Sequence, residues 1–275
     1  MVLFSFKSYS VDIVKLQSQQ MSENKAAHNT EVIRRALEIT EPEYGPFKLE
    51  RVNLTMSFAR MLKALAGGEL INTAIVPASE VWDKHNIAIR LPARQGLLSY
   101  RLLLVNKANL PRFEKINSLK ELNHFTAGLH KGWLTTEIFK LNHLSVMEIA
   151  HFEGLFLMLN RRRFDYIPRD VYDIYDELSA RQIMLKDIVV EPTIALYIPT
   201  SSYVYVSPEE TRLAKRIDSG VRKLLASGEL KEILIKYYAN DINRANLNGR
   251  KIFEIENPYF NPKDKLNYKN LSSVD

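Results

Sequence analysis

The chain has 275 residues, of which 46% are hydrophobic, 10% aromatic and 25% charged. This composition excludes a chain too polar to build a core, and the length favours two domains, because single cores stop growing near about 250 residues. The 38 basic and 32 acidic residues give a net charge of +6, which is too small and too dispersed to indicate a nucleic-acid interface.

Cysteine is absent, which excludes disulfides, thiolate metal sites and a cysteine nucleophile. The sequence also has no run near the ~18 to 20 apolar residues of a membrane-spanning helix. Residues 1–10, MVLFSFKSYS, lack the positive segment and long apolar stretch of a secretory signal. We therefore expect either a cytoplasmic protein or one whose signal peptide has been removed.

The first predicted strand is LFSF, residues 3–6, and residues 8–29 after it are polar without a clear period. Residues 31–39 have the period of an amphipathic helix, and residues 47–52 follow as a strand. Beyond them, a helix capped by Ser57 and ended by Gly67 and Gly68 leads into a buried strand over residues 70–76.

The same order of elements recurs later in the chain. Strand, helix, strand, helix and strand are predicted at residues 124–129, 131–142, 143–150, 152–163 and 164–167. Such alternation is typical of an α/β fold with mainly parallel sheets. The segments SFARMLKALAGGELINT and FEGLFLMLNRRRFDY are two copies of one helix and strand unit, which suggests two similar lobes.

Two long extended runs, residues 97–106 and 189–199, look like crossovers between the lobes. They predict that residues 1–103 and 193–275 form lobe 1 and that residues 104–192 form lobe 2. Two lobes joined by two hinge strands are suited to closing on a ligand in the cleft between them.

The segment RRRFDYIPRD, residues 161–170, begins with three arginines at the expected end of a helix. Cations there complement the unpaired carbonyl groups of the last turn. The arginines therefore need no nucleic acid to explain them.

Five stretches together resemble one known family. They are RMLKALAGGELINTAIV, FEKINSLKELNHFTAGLHKG, LFLMLNRRRFDYIPRDVYDI, VVEPTIALYIPTSSYVYVSP and RLAKRIDSGVRKLLASGELKEIL. In this order they resemble the type 2 periplasmic solute-binding proteins, in particular the family 3 extracellular proteins that bind amino acids for ABC transporters. The resemblance implies a two-lobed α/β fold that closes on a small solute.

In lobe 1 the resemblance places the ligand-binding Ser/Thr of the family on Ser79 and its carboxylate-binding arginine on Lys84. The lysine keeps the charge but loses the bidentate fork of arginine. Tyr9, in the loop after the first strand, and Arg90 are further candidate contacts. Without a ligand role, Ser79 would be a helix cap, Lys84 a solvated lysine and Arg90 the partner of an acid.

In lobe 2 the resemblance implies an anion-binding turn and helix N-terminus in GLHKGWLTT, and an ammonium-binding aspartate at Asp170. The candidate contacts there are Lys131, Gly132, Trp133, Thr135, Tyr166, Arg169 and Asp170. Trp133 has the alternative role of a packing residue.

Asp170 is followed by three further acids, Asp173, Asp176 and Glu177. Their spacing predicts a solvated helix face, and nothing in the sequence fixes the separation that a catalytic carboxylate pair needs. The histidines have no metal-ligand spacing, and the common nucleotide-binding and serine-nucleophile motifs are absent. No cofactor, no metal and no enzymatic activity are therefore expected.

The leading hypothesis is a bacterial, periplasmic and monomeric solute-binding protein, whose partners are a small polar solute and an ABC permease. The second is a ligand-sensing module that acts with a membrane sensor. The third is an enzyme on the same scaffold, which converging Asp165 and Asp170 carboxylates would favour. A nucleic-acid partner is not expected.

Overall fold

The computed structural model describes residues 10–18, 22–54 and 56–260. These residues form two compact units. Unit 1 comprises the described residues of Met1–Ala93 and Ser202–Tyr237, and unit 2 those of Arg94–Ser201 and Tyr238–Asp275. The chain therefore passes from one unit to the other three times.

The helices and strands follow one another in a regular alternation. In chain order they are β1 (Asp12–Gln17), α1 (Glu23–Glu38), α2 (Glu41–Tyr44), β2 (Phe47–Val52), α3 (Phe58–Gly67), β3 (Thr73–Pro77), α4 (Glu80–His85), β4 (Ile87–Ile89), β5 (Tyr100–Asn106), α5 (Leu110–Phe113), α6 (Leu119–Leu122), β6 (Ala127–His130), α7 (Leu134–Leu141), β7 (Val146–Ile149), α8 (Phe152–Asn160), β8 (Tyr166–Asp170), α9 (Ile174–Ser179), β9 (Ile188–Tyr197), β10 (Ser202–Val206), α10 (Thr211–Ser227), α11 (Glu229–Ala245) and β11 (Lys251–Glu254).

The sheet of unit 1 has the strand order β2-β1-β3-β10-β4. β1 is parallel to β2 and β3, whereas β10 is antiparallel to β3 and β4. Side chains alternate between the two faces of a strand, so Val204 and Val206 pack against α1 and α10, and Tyr203 and Tyr205 pack against α3. Both faces of the sheet are thus covered.

The sheet of unit 2 has the strand order β11-β9-β5-β8-β6-β7. β6 is parallel to β7 and β8, and β5 is antiparallel to β8 and β9. Its core is built from aliphatic and aromatic side chains such as Leu103, Phe113, Phe139 and Ile194.

The predicted repeat is confirmed in the topology. β1, β2 and β3 of unit 1 have the same order and connections as β6, β7 and β8 of unit 2, with an antiparallel strand added beside β3 and β8. The expected α/β class is also confirmed, although each sheet is mixed rather than mainly parallel.

The units differ from the expected lobes at their limits. β5 and β9 pair with each other from Tyr100 and Tyr197 onward, so both strands lie wholly in the sheet of unit 2 instead of each having one end in lobe 1. β11 pairs with β9, which brings residues 238–260 into unit 2, whereas the sequence analysis assigned them to lobe 1. Hydrogen bonding between strands that are distant in sequence sets these limits.

The N-terminal region also differs from its prediction. The segment expected to lack a period contains β1, whose Val14 and Leu16 are fully buried between two parallel neighbours. The predicted strand at residues 3–6 lies outside the described residues. The alternation in β1 spans too few residues to stand out from the polar sequence around it.

A buried arginine lies at the edge of the unit 1 sheet where β1 begins. The Arg216 side chain is fully buried, and its Nη1 is 2.7 Å from Oδ2 of Asp12. Its other nitrogens donate hydrogen bonds to the Leu37 carbonyl and to Thr40 Oγ1, at 2.9 Å and 3.2 Å. These bonds satisfy a charge that would otherwise be costly to bury.

Candidate ligand site at the carboxyl ends of the parallel strands

Each unit has a topological switch point, where the chain leaves two adjacent parallel strands in opposite directions. It lies between β1 and β3 in unit 1 and between β6 and β8 in unit 2. In open α/β sheets, ligands bind beyond the carboxyl ends of the strands at such points. The side chains that follow β3, β6 and β8 are therefore the ones to consider.

In unit 2, a tight turn leads from β6 into α7. Gly132 has a φ of +87°, which favours glycine, and Trp133 caps the helix that follows. Thr136 Oγ1 donates a hydrogen bond to the His130 carbonyl at 2.8 Å and so fixes the turn. Lys131 and Gly132 are exposed, while Trp133 is half-buried.

The Trp133 ring packs against the Arg169 side chain. The guanidinium carbon of Arg169 is 4.5 Å from the centre of the Trp133 ring and 5.7 Å from that of Phe152. Arg169 Nε donates a hydrogen bond to Glu177 Oε2 at 2.6 Å, and Asp173 is 3.9 Å away. A cation thus lies between aromatic rings and acids, and its side chain is only 11% exposed.

Asp170, the last residue of β8, forms an ion pair with Arg101 of β5. The two residues are directly opposite each other in the antiparallel ladder. The side chain of Arg101 is 7% exposed and that of Asp170 is 15% exposed, so the pair is largely removed from water.

A second buried arginine contacts the loop after β8. The guanidinium carbon of Arg94 is 5.3 Å from the centre of the Tyr172 ring. Arg94 also interacts electrostatically with Tyr238, and burial raises the pKa of Tyr238 to about 12. Tyr172 and Tyr238 pack ring to ring at 5.6 Å. This buried network holds the loop that carries Asp173.

Tyr166 does not lie with the other candidate contacts. It is 1% exposed and packs on Phe113, with 6.0 Å between ring centres. Burial raises the pKa of its hydroxyl. Tyr166 starts β8 while Asp170 ends it, so we reassign Tyr166 from a ligand contact to the core of unit 2.

In unit 1, Ser79 follows β3 and caps α4 without a side-chain hydrogen bond. The Tyr205 hydroxyl lies near the Ser79 backbone and donates a hydrogen bond to Asp83 Oδ1 at 2.8 Å. Burial and the adjacent Asp83 raise the pKa of Tyr205. Arg90 donates to the other oxygen of Asp83 at 2.6 Å, which is the acid pairing anticipated as its alternative role.

The remaining candidates of unit 1 are less constrained. Lys84 is exposed in the last turn of α4. Tyr9 lies outside the described residues, as does the strand at residues 3–6 that it was predicted to follow. The unit 1 candidates that the structure describes, Ser79, Lys84 and Arg90, lie in one short segment of the chain.

Unit 2 thus brings Lys131, Gly132, Trp133, Arg169 and Asp170 to the carboxyl ends of β6 and β8. Thr135 is half-buried in the first turn of α7. The arginines of residues 161–163 are exposed and directly follow α8, with Arg161 at its C-cap, which confirms their predicted place at a helix end.

The predicted solvated acidic face is wrong in its geometry. Asp170 belongs to a strand, and Asp173 is buried just before α9. Asp176 is exposed, whereas Glu177 contacts Arg169. Three of the four acids, Asp170, Asp173 and Glu177, therefore lie beside guanidinium groups instead of on a water-exposed helix face.

Sequence analysis missed Arg101 and Arg94. Arg101 lies in YRLLLVN, where a single charged residue in an otherwise apolar strand was the available signal. Such a residue either ends at the surface or has a buried partner, and the sequence does not show which. Arg94 carried no comparable signal, because its partners are far away in the chain.

In the described part of the chain, no helix is long and apolar enough to cross a bilayer. No group of three His, Asp or Glu side chains there is arranged to hold a metal ion.

Comparisons with known proteins identify the fold. Neither a family model nor a curated protein matches the sequence. Among solved structures, an ancestral arginine-binding protein bound to arginine is 16% identical, with a TM-score of 0.57, covering 82% of this chain and 98% of its own. A periplasmic binding protein of Salmonella typhimurium with high arginine specificity is 14% identical, with a TM-score of 0.58, covering 82% and 99%.

A histidine kinase sensor domain with similarity to periplasmic binding proteins is also similar. It is 15% identical, with a TM-score of 0.54, covering 83% of this chain and 96% of its own. Likeness at these identities is a likeness of fold. The chain therefore has the fold of the type 2 periplasmic solute-binding proteins.

Proposed function

We propose that this protein binds a small polar solute, similar in size and polarity to an amino acid, and delivers it to an ABC-type transporter. The observation that carries the proposal is the position of Trp133, Arg169 and Asp170 at the switch point of unit 2. An aromatic wall with charged groups beside it is the usual composition of a site for a small polar ligand. The fold supports the same function.

Each unit has its own set of candidate contacts. Unit 2 contributes Lys131, Gly132, Trp133, Thr135, Arg169 and Asp170, and unit 1 contributes Ser79, Lys84 and Arg90. Exclusion of water by the bound solute would strengthen each polar contact.

An alternative role is sensing, in which the bound form is recognised by a membrane sensor. The observation that favours it is the similarity to the sensor domain of a histidine kinase. A transport role predicts that the ligand-bound protein binds a permease, whereas a sensing role predicts that it binds a membrane kinase. Affinity capture from membranes with and without ligand separates the two.

A catalytic role for Asp165 and Asp170 finds no support in the geometry. Asp165 precedes β8 and Asp170 ends it, so the two carboxylates lie at opposite ends of one strand. Asp165 Oδ2 accepts a hydrogen bond from the Thr126 backbone at 2.8 Å, and Asp165 also pairs with Arg112. We propose a binding protein without enzymatic activity, monomeric and located in the periplasm.

A thermal-shift screen of small metabolites tests the proposed function. We expect at least one polar solute to raise the melting temperature at millimolar concentration, because a ligand that binds only the folded state stabilises it. The W133A variant should lose this shift while it still unfolds cooperatively. A screen in which no solute raises the melting temperature of the wild type would count against the proposal.

A further inference from the structure

We propose that Arg101 determines which charge the candidate contacts of unit 2 accept. By pairing with Asp170, it neutralises the acid that a cationic amino group of a solute would need. The solute is then one with a hydroxyl at that position, such as a small 2-hydroxy acid, instead of an α-amino acid. This inference rests on the proposed function and narrows its class of solute.

The sheet register builds the pair into the fold. β5 runs antiparallel to β8, so Arg101 near the start of β5 is directly opposite Asp170 at the end of β8. Arg101 Nη1 also contacts the Leu98 carbonyl, which holds the guanidinium beside the strand. The two side chains are 7% and 15% exposed, so water screens their attraction only weakly.

The other acids of this edge are paired as well. Glu177 accepts a hydrogen bond from Arg169 Nε at 2.6 Å, and Asp173 is 3.9 Å from the same guanidinium. A solute ammonium at Asp170, Asp173 or Glu177 would therefore lie beside a guanidinium that already neutralises the acid. Two cations that share one acid repel each other, and burial keeps water from screening this repulsion.

A hydroxyl meets no such obstacle. It adds no charge, and it can donate a hydrogen bond to the carboxylate or accept one from the guanidinium. The Arg101 and Asp170 pair can stay intact while it binds. The pair therefore favours a hydroxyl over an ammonium group of the same size.

Matched pairs of solutes test this inference on the wild-type protein. The pairs are L-lactate and L-alanine, L-malate and L-aspartate, and L-2-hydroxyglutarate and L-glutamate, compared by thermal shift and then by titration calorimetry. We expect the hydroxy acid of a pair that binds to have at least about tenfold higher affinity, which corresponds to one favourable polar contact. Equal affinities, or tighter binding of the amino acid, would overturn the inference.

The outcomes separate this inference from the proposed function. Binding of amino acids in preference to hydroxy acids overturns the role of Arg101 but supports solute binding. A wild-type protein that binds no solute of either kind, nor any member of a wider metabolite library, overturns the proposed function and the inference with it.

Variants give a second test. R101Q should lose the preference and gain affinity for the amino acid, because Asp170 becomes available to an ammonium group. The double variant R101Q/D170N should lack that gain. R112Q is the matched control, since it removes a guanidinium from the more exposed Arg112 and Asp165 pair of the same unit. If R101Q keeps the wild-type preference, the inference is wrong. If R101Q does not fold, the comparison of matched solutes on the wild-type protein decides.

Discussion

Unit 1 places Arg216 and Asp12 at the edge where its parallel strands begin, whereas unit 2 places Arg101 and Asp170 at the edge where its parallel strands end. Both pairs are largely buried, and both join strands or helices that are distant in sequence. A pair at the beginning of the strands holds elements together, far from the switch point. A pair at the end of the strands lies where ligands bind in such sheets.

The same contrast appears at equivalent positions of the repeat. The antiparallel strand beside β3 pairs Ser202 with Pro77, while the one beside β8 pairs Arg101 with Asp170. One half of the repeat therefore has uncharged residues at the position where the other has an ion pair. Two units with similar topology can therefore have different side-chain chemistry at equivalent positions.

The largest expected effect is that of R216M, which removes a fully buried guanidinium from unit 1. Asp12 then keeps only Arg212 as a partner, and the Leu37 carbonyl and Thr40 Oγ1 lose a hydrogen-bond donor. We expect the free energy of unfolding to fall by about 3 to 5 kcal/mol, the usual loss on breaking a buried pair. Chemical denaturation measures it, and hydrogen exchange should show faster exchange in unit 1.

The control is R222M, from an exposed pair with Asp218, which should change stability by less than about 1 kcal/mol. Equal losses for both variants would contradict a special role of the buried pair.

A close helix contact in unit 1 comes next. A Cβ at Gly220 of α10 would lie 2.2 Å from the backbone oxygen of Ala36 in α1, so G220A must push the two helices apart. We expect a loss of about 3 kcal/mol in a urea titration, at the upper end for overpacking. G67A is the control, because nothing lies within 4 Å of its added methyl group. A G220A protein as stable as G67A would rule out the tight contact.

The contact between Trp133 and Arg169 distinguishes unit 2 and should have a smaller effect on stability. W133L keeps an apolar side chain but removes the ring, and we expect a loss of about 1 to 2 kcal/mol, the range for a desolvated cation–π contact. F152L is the control, since its ring is 5.7 Å from the guanidinium instead of 4.5 Å. Comparable losses for the two variants would show that the ring of Trp133 contributes only packing.

The smallest effect is a dependence on pH. Burial raises the pKa of Asp241 to about 6, and the neighbouring Asp176 adds to the shift. Since the folded state holds this proton more tightly than the unfolded state, the wild type loses stability as the pH rises from about 4 to about 6. D241N should therefore be more stable than the wild type by about 1 kcal/mol at pH 7, after allowance for screening by water, with little gain at pH 4.

The measurement is urea unfolding of wild type and D241N at both pH values. D187N, at an exposed acid of unit 2, should follow the wild type at both. A gain for D241N that is equal at pH 4 and pH 7 would contradict the assigned titration.

Sequence reasoning predicted most of the elements that have strong local signals. Ser57 and Gly68 cap α3 as expected, because capping is a property of neighbouring residues. Sequence reasoning failed where the residues that contact each other are distant in the chain. β1 takes its burial from β2 and β3, and Arg101 and Asp170 meet only through the register of β5 with β8. The family resemblance singled out Asp170, which ends β8, but did not indicate its arginine partner.

The short strand β11 has a consequence for how the chain is handled in the laboratory. It borders β9, pairing Lys251 with Ile194 and Glu254 with Tyr197. A protein truncated before residue 251 would present an uncovered row of peptide groups on β9, and such rows recruit strands from other molecules. Shortened versions are therefore expected to self-associate, and purification should retain this last strand.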